Sequence, residues 1–241
     1  MKIGTRLRRQ EIKHAVAEYP HWYHSIDLGE GVVTPGVNDS ARELRFLNAI
    51  GLPKDCHGKR VLDLGCQDGF FSFELERRGA QVTALDVRSP GESGFEIARR
   101  FLKSQVKFRQ GNVYDLRFAQ DEKFDLVLCL GLLYHLRHPL LALDQIRNVI
   151  TDSGVVFAET QVLTGYENES LMRFENGQET KAEDPSVAWV PNLTALKKML
   201  ARAQFTVIDH YTDGQRAGVC AKPTFSAQTA YWQELDQRNW K

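Results

Sequence analysis

Two glycines four residues apart, Gly65 and Gly69, bracket Cys66, Gln67 and Asp68 directly after an apolar run that carries Asp63. Glycines so placed let a chain turn sharply out of a strand and bring backbone close to a ligand at the start of the next helix. The neighbours narrow the ligand. A pyrophosphate loop reads GxGxxG and is poorly served by nearby carboxylates, whereas Asp63 and Asp68 suit a molecule carrying a sulfonium and an ammonium group. Asp86 follows a second apolar run about 20 residues past the loop, where a carboxylate accepts both hydroxyls of a ribose. S-adenosyl-L-methionine fits this set better than a nicotinamide dinucleotide. Taken singly, the carboxylates read as helix caps and the glycines as an ordinary tight turn; the order strand, loop, helix, strand, acid carries the cofactor reading.

A second group of reactive side chains follows the apolar run 124–130. Tyr134 and His135 fall just past the carboxyl end of the expected fourth strand, where a doubly wound sheet binds ligands. His135 is suited to take a proton from a hydroxyl or amine, and Tyr134 to orient donor or acceptor, so these are the catalytic candidates. The competing structural role is a buried, hydrogen-bonded pair supporting the loop. Asn112 and Val113 fall where an adenine ring would be framed, with Leu130 and Gly131 closing its other side. The donor set is therefore Asp63, Gly65, Cys66, Gly69, Asp86, Asn112, Val113, Leu130 and Tyr134. Trp22, Tyr23 and His24, with Asp27, begin a turn-rich stretch to Pro35 that reads as a lid excluding water from the transfer or as packing for an N-terminal helix. With Glu159 and Arg216 they form the substrate-binding set; Arg173 and Trp189 flank the same region. The spacing of His24, Asp27 and His135 demands no metal. Cys56, Cys66, Cys129 and Cys220 contain no CxxC pair, so neither a metal site nor a disulfide framework is expected.

These residues need alternating strands and helices to position them. Residues 61–64, 82–85, 106–108, 124–130 and 155–160 read as strands, with helices over 69–78, 94–103 and 139–149. The predicted fold is α/β: a doubly wound, mostly parallel sheet with a closing antiparallel strand and helices on both faces. A helix over 5–18 and another capped by Asn38, Asp39 or Ser40 precede it, giving an N-terminal region of residues 1–54 and a core of residues 55–241. Residues 161–188 are polar and read as an insertion, where acceptor choice would vary. Asn192 caps a helix to 203, two closing strands follow at 205–211 and 217–221, and a terminal helix is expected over 226–238.

Lys plus Arg and Asp plus Glu are balanced at 31 each, which offers no overall field to attract a phosphate backbone. Arg6, Arg8, Arg9 and Lys13 read as a solvated helix face. The polar N-terminus and short apolar runs predict no signal peptide, no membrane segment and a cytoplasmic location. No oligomeric partner is indicated.

The segments VLDLGCQDGFFS, ALDV, GNVYDL and FDLVLCLGLLYHLRHPL resemble, in that order, the first motif, the acidic second motif, the adenine-framing segment and the fourth-strand region of class I, Rossmann-like S-adenosylmethionine-dependent methyltransferases. Gln67 departs from the pattern, replacing the middle glycine of GxGxG. The fourth-strand segment, the 22–35 loop and Gln215-Arg216-Ala217-Gly218-Val219 are similar to the tRNA wobble-uridine carboxymethyltransferases and their shorter relatives. That resemblance implies that Tyr134 and Arg216, with a lysine upstream of the first strand, contact an extra carboxylate on the donor. No lysine lies between Lys13 and Lys54, and the chain looks shorter at its N-terminus than those enzymes. Plain S-adenosyl-L-methionine is therefore favoured over carboxy-S-adenosyl-L-methionine. The expected function is methyl transfer to a small-molecule acceptor at a heteroatom. The alternatives are tRNA wobble-uridine methyl- or carboxymethyl transfer, with tRNA as a less favoured partner, and a non-catalytic S-adenosylmethionine-binding regulatory subunit, for which Gln67 is the one hint.

Overall fold

A computed structural model describes residues 2–119, 122–175 and 184–224. The expected terminal helix over 226–238 lies outside the described residues. The chain forms two compact units, Met1–Val113 and Tyr114–Lys241, and the expected N-terminal region of residues 1–54 falls wholly within the first.

In the first unit, α1 (Lys2–Glu18) and α2 (Ser40–Ala49) precede β1 (Arg60–Leu64), α3 (Phe70–Arg77), β2 (Gln81–Asp86), α4 (Phe95–Leu102) and β3 (Lys107–Gln110). Of the three possible caps for α2, Asp39 is the one used: its carboxylate accepts the Arg42 amide at 2.9 Å. The strands β1, β2 and β3 run parallel, with Val61 beside Val82 and Ala84 beside Phe108. Both β1 and β2 are buried along nearly their whole length. Strands covered on both faces need apolar side chains at every position, which is why these runs are continuous rather than alternating.

The second unit holds β4 (Phe124–Leu130), a short 3-10 turn (Leu133–His135), α5 (Pro139–Val149), β5 (Ile150–Gln161), β6 (Met172–Phe174), β7 (Trp189–Pro191), α6 (Leu193–Arg202), β8 (Phe205–Asp213) and β9 (Arg216–Pro223). β5 pairs parallel with β4 and antiparallel with β9, which returns from β8 through a turn at Gly214. The strands take the order β3-β2-β1 in the first unit and β4-β5-β9-β8 in the second. The antiparallel closing strand expected from sequence is β9, and it lies one place in from the edge, because β8 flanks it.

Within the expected insertion, β6 leaves the main sheet and pairs with β7 as a separate two-stranded sheet. One side chain ties this excursion down. Asn192 is the N-cap of α6, as its position predicts, and its Oδ1 accepts the Ala195 amide at 2.8 Å and the Leu171 amide at 3.3 Å. Its Nδ2 also donates to the carbonyls of Tyr166 at 2.5 Å and Glu169 at 2.7 Å. A buried amide that spends both ends this way does more than cap a helix. Asn192→Asp keeps the capping oxygen and would be nearly neutral in a simple cap; here it turns a donor into an anion facing two carbonyls. We expect both Asn192→Asp and Asn192→Ala to lower the urea-unfolding free energy by about 2 kcal/mol or more, and an unchanged midpoint for Asn192→Asp would refute the clamp.

Candidate active site

The loop after β1 is built around three buried carboxylates, Asp63, Asp68 and Asp86. Gly65 (φ 72°) continues the pairing of β1 with β2 through its amide bond to the Leu85 carbonyl at 2.8 Å. Gly69 (φ 90°) then opens α3; a Cβ there would stand 2.6 Å from the Phe73 ring and 2.7 Å from that of Phe95. The close approach of the Phe73 and Phe95 rings, from α3 and α4, thus demands glycine twice over, by backbone conformation and by space. Between the two glycines, Cys66 is buried. Burial pushes its thiol far up, and the charges of Asp63, Asp86 and Asp68 push it further, so it is no nucleophile and the surroundings are negative.

Asp86 ends β2 with its carboxylate fixed by backbone: Oδ2 accepts the Gln67 amide and Oδ1 the Arg88 amide, each at 3.0 Å. Oδ1 also takes the Arg88 Nε at 3.4 Å, so it is Oδ2 that keeps capacity for a further bond, of the kind a ribose hydroxyl makes. Gln67 takes φ 55°, a conformation that glycine adopts without strain. Its side chain is held there by Arg88, whose Nη2 donates to Oε1 at 2.9 Å. The departure from the GxGxG pattern therefore leaves the turn intact and adds a bond. Beyond β3, Asn112 is exposed and Val113 buried, while the Gly111 amide bonds the Asp86 carbonyl at 2.8 Å.

Asp68 serves the N-terminal segment. It accepts the amides of Tyr23 at 2.9 Å and His24 at 2.8 Å through one oxygen and bonds His24 Nδ1 through the other. The His24 ring stacks on Phe70 with centroids 5.5 Å apart. Trp22 is buried, and its Nε1 donates to the Val16 carbonyl at 3.1 Å. Of the three aromatics predicted to meet substrate, Trp22 and His24 are thus packed against their own unit, and Tyr23 is the exposed one.

In the second unit, Glu159 on β5 and Arg216 on β9 form a bidentate pair, with both nitrogen–oxygen distances 2.5 Å. Glu159 is 2% exposed and also accepts the Gly131 amide at 3.1 Å, which holds the end of β4 beside Leu130. Burial opposes the charge of Arg216, but Glu159 outweighs it and drives the guanidinium above its ordinary value. Arg216 also lies over the Tyr134 ring, 5.1 Å from its centroid. Burial raises the Tyr134 phenol despite Arg216, so this hydroxyl stays protonated. His135 packs against Tyr134 at 3.9 Å between centroids. Burial lowers its imidazole below the usual histidine value, with Arg216 acting in the same sense and Asp184 and the Ser186 backbone against it.

Arg173 is paired with the buried Glu175, whereas Trp189 lines a cavity of about 810 Å³ with Pro139, Leu140, Leu141, Met172 and Met199. Arg137 and His138 supply its polar lining. Sequence reasoning missed Ser72, Arg88, Asp184 and Ser186. Arg88, two residues past Asp86, sat beside a visible motif; the contact of Ser186 with His135 spans 51 positions and left no local signal.

Asp63 gives a pH test of the loop. Its carboxylate is buried and accepts the Ser72 hydroxyl at 2.6 Å; burial pushes its pKa up to about 6. In the unfolded chain it ionises near the usual value of about 4. Below that value both states are protonated and no penalty exists. As pH rises towards about 6 the unfolded state ionises first, so stability falls, and above it the full cost of about 3 kcal/mol is present. Asn at this position does not ionise. The difference in unfolding free energy between Asp63→Asn and the parent should therefore move in the variant's favour by about 2–3 kcal/mol between about pH 4 and about pH 7; a difference flat with pH would contradict it.

A family model described as a methyltransferase domain matches residues 40–210. The chain is 30% identical over 162 residues to the tRNA U34 carboxymethyltransferase of Nautilia profundicola, covering 64% of this chain and 51% of that protein. It is 30% identical over 152 residues to the enzyme of the same name from Campylobacter fetus, covering 63% and 52%. It thus spans about half the length of the curated relatives it matches. Among solved structures, the SAH-bound N-terminal domain of EvdMO1 superposes with a TM-score of 0.61 at 23% identity, covering 90% of this chain and 97% of that one. The 1,6-didemethyltoxoflavin-N1-methyltransferase of Burkholderia thailandensis, bound to 1,6-didemethyltoxoflavin and S-adenosylhomocysteine, gives 0.57 at 21% identity, covering 77% of each chain. With its strand order, its acidic glycine loop and the family match over most of its length, the chain belongs to the methyltransferase-domain family and has the class I, Rossmann-like fold.

Proposed function

We propose that this chain catalyses S-adenosylmethionine-dependent methyl transfer to a small-molecule acceptor at a heteroatom. The observation that carries the reading is the Asp86 carboxylate, oriented by two backbone amides beside the Gly65–Gly69 turn in a negative environment. When bound, S-adenosylmethionine supplies a methyl carbon activated by a sulfonium. Asp86 would hold the ribose, Gly65, Cys66 and Gly69 would admit the amino-acid portion to the backbone, and Asn112, Val113 and Leu130 would frame the adenine. In the same reading Asp63 contributes negative charge beneath the loop, Tyr134 orients the reactants and His135 takes the acceptor proton.

Two observations support an ordinary donor and a small acceptor. Arg216 already gives its Nε and Nη2 edge to Glu159, whose charge offsets its own and weakens its pull on a donor carboxylate. The cavity beside Trp189 is mostly apolar and of a size suited to a small molecule. Trp189, in the wall of that cavity, is the aromatic of the second unit that we assign to acceptor contact; Tyr23 is the exposed aromatic among the three candidates of the first. A tRNA acceptor is the second reading, favoured by the 30% identity to enzymes named tRNA U34 carboxymethyltransferase. No helix among the described residues is long and apolar enough to cross a membrane; a cytoplasmic location accords with a diffusible donor and acceptor.

Calorimetry of the intact chain should show binding of S-adenosylmethionine and S-adenosylhomocysteine. Asp86→Ala should weaken both by about 10- to 100-fold, through loss of charge-assisted bonds to the ribose. Unchanged affinity in that variant would mean the ribose lies elsewhere. Turnover of a methyl-labelled donor with fractionated metabolite extracts should label a small molecule, and His135→Asn should slow it by about 100-fold or more. Label appearing in tRNA, with tight salt-sensitive binding, would favour the second reading.

A further inference from the structure

His135 is held by residues that follow the inserted segment. Its Nδ1 lies 2.7 Å from the Ser186 hydroxyl oxygen, and that hydroxyl lies 2.5 Å from Asp184 Oδ1. A serine hydroxyl has one hydrogen to give. An ionised carboxylate has none, so the Ser186 hydrogen goes to Asp184 and the hydroxyl oxygen must accept from the ring. Nδ1 therefore carries the proton, and in the neutral ring Nε2 carries the lone pair. The segment is fixed in place independently of this contact. The Ala188 amide bonds the Tyr134 carbonyl at 2.8 Å, Trp189 Nε1 bonds the Arg137 carbonyl at 3.2 Å, and Val187 packs with Val190 against Tyr134. The Ser186 amide bonds Asp184 Oδ1 at 2.9 Å, setting the hydroxyl and carboxylate relative to one another. In an ordinary Asx turn the hydroxyl would meet solvent on its far side; here it meets the imidazole of a residue 51 positions earlier.

We propose that Asp184 and Ser186 are positioning residues that hold His135 in its Nδ1–H tautomer and so present Nε2 as the proton acceptor for methyl transfer. The inference rests on the reading of His135 as the base. In the step it serves, Nε2 takes the proton that the acceptor heteroatom releases as it bonds the methyl carbon; the carbon–sulfur bond breaks and its electron pair stays on sulfur. The logic is that of a carboxylate that fixes a catalytic histidine's tautomer without itself taking up the proton, with a hydroxyl interposed. A solvated neutral histidine side chain favours the opposite, Nε2–H tautomer, so the arrangement leaves a spectroscopic mark.

The test uses the intact chain labelled with ¹³C,¹⁵N-histidine, without ligand, at about pH 8, where an imidazole with a lowered pKa is neutral. The His135 signals are assigned by their loss in His135→Asn. Long-range ¹H–¹⁵N correlation should show a protonated Nδ1 and an unprotonated Nε2 in the parent. Ser186 is exposed, so Ser186→Ala leaves the fold intact; it should move His135 to predominantly Nε2–H, and Ser186→Thr, which keeps the hydroxyl, should restore the parent pattern. Ser186→Ala should also lower kcat about 10-fold with donor affinity unchanged. A parent in the Nε2–H form, or a His135 spectrum unaltered by Ser186→Ala, would overturn the proposal. Normal turnover in His135→Asn would instead sink the reading of His135 as base while the tautomer result stood, so the two failures are separable.

Discussion

Burying a carboxylate is costly unless every lone pair it turns inward finds a donor, and the turn after β1 gathers Asp63, Asp68 and Asp86, all buried, about a single loop. Each is met to a different degree. Asp63 accepts a hydroxyl from α3, Asp68 takes two amides and an imidazole from the N-terminal segment, and Asp86 takes amides on either side of the loop. Much of the first unit follows from meeting these demands. The N-terminal segment lies where it does because Asp68 needs its donors, and Gln67 tolerates a left-handed conformation because its amide and side chain both have partners. The result is a preorganised negative loop, suited to a cationic nucleoside and expensive to rearrange.

The second unit solves the same problem with a countercharge. Glu159 is as buried as any carboxylate of the loop but Asp68, and Arg216 answers it from the neighbouring antiparallel strand. Removing either partner would strand a buried charge. This pair, with the Gly131 amide on Glu159 and Tyr134 under the guanidinium, sets the end of β4 and the turn that carries His135. Arg216 therefore serves first to neutralise a neighbour, whatever else it contacts.

The alternation of strand and helix was legible because parallel strands buried on both faces require unbroken apolar runs, and glycine at 65 and 69 suits a turn whose backbone takes positive φ at both positions. Asp86 was legible through its spacing. Asn192 was legible as a cap, since capping is local, but its hold on Tyr166 and Glu169 was not. For Trp22 and His24 a lid and a packed segment could not be separated, because aromatic residues beside polar ones read the same whether they face a ligand or a core; the burial of His24 came from Asp68 and Phe70, more than 40 positions away. The insertion read as irregular because a three-residue strand such as β6 has no period to detect.

The sequence by itself determined the fold class, the glycine turn after β1 and the strand ends where chemistry-bearing residues gather, because these depend on periodicity and on backbone conformations that few residues allow. Only the tertiary structure decided which charges are spent on one another. Asp68 with His24, Glu159 with Arg216, and Asp184 through Ser186 with His135 are pairings across long stretches of chain, and a residue's type gives its capacity to bond without naming its partner.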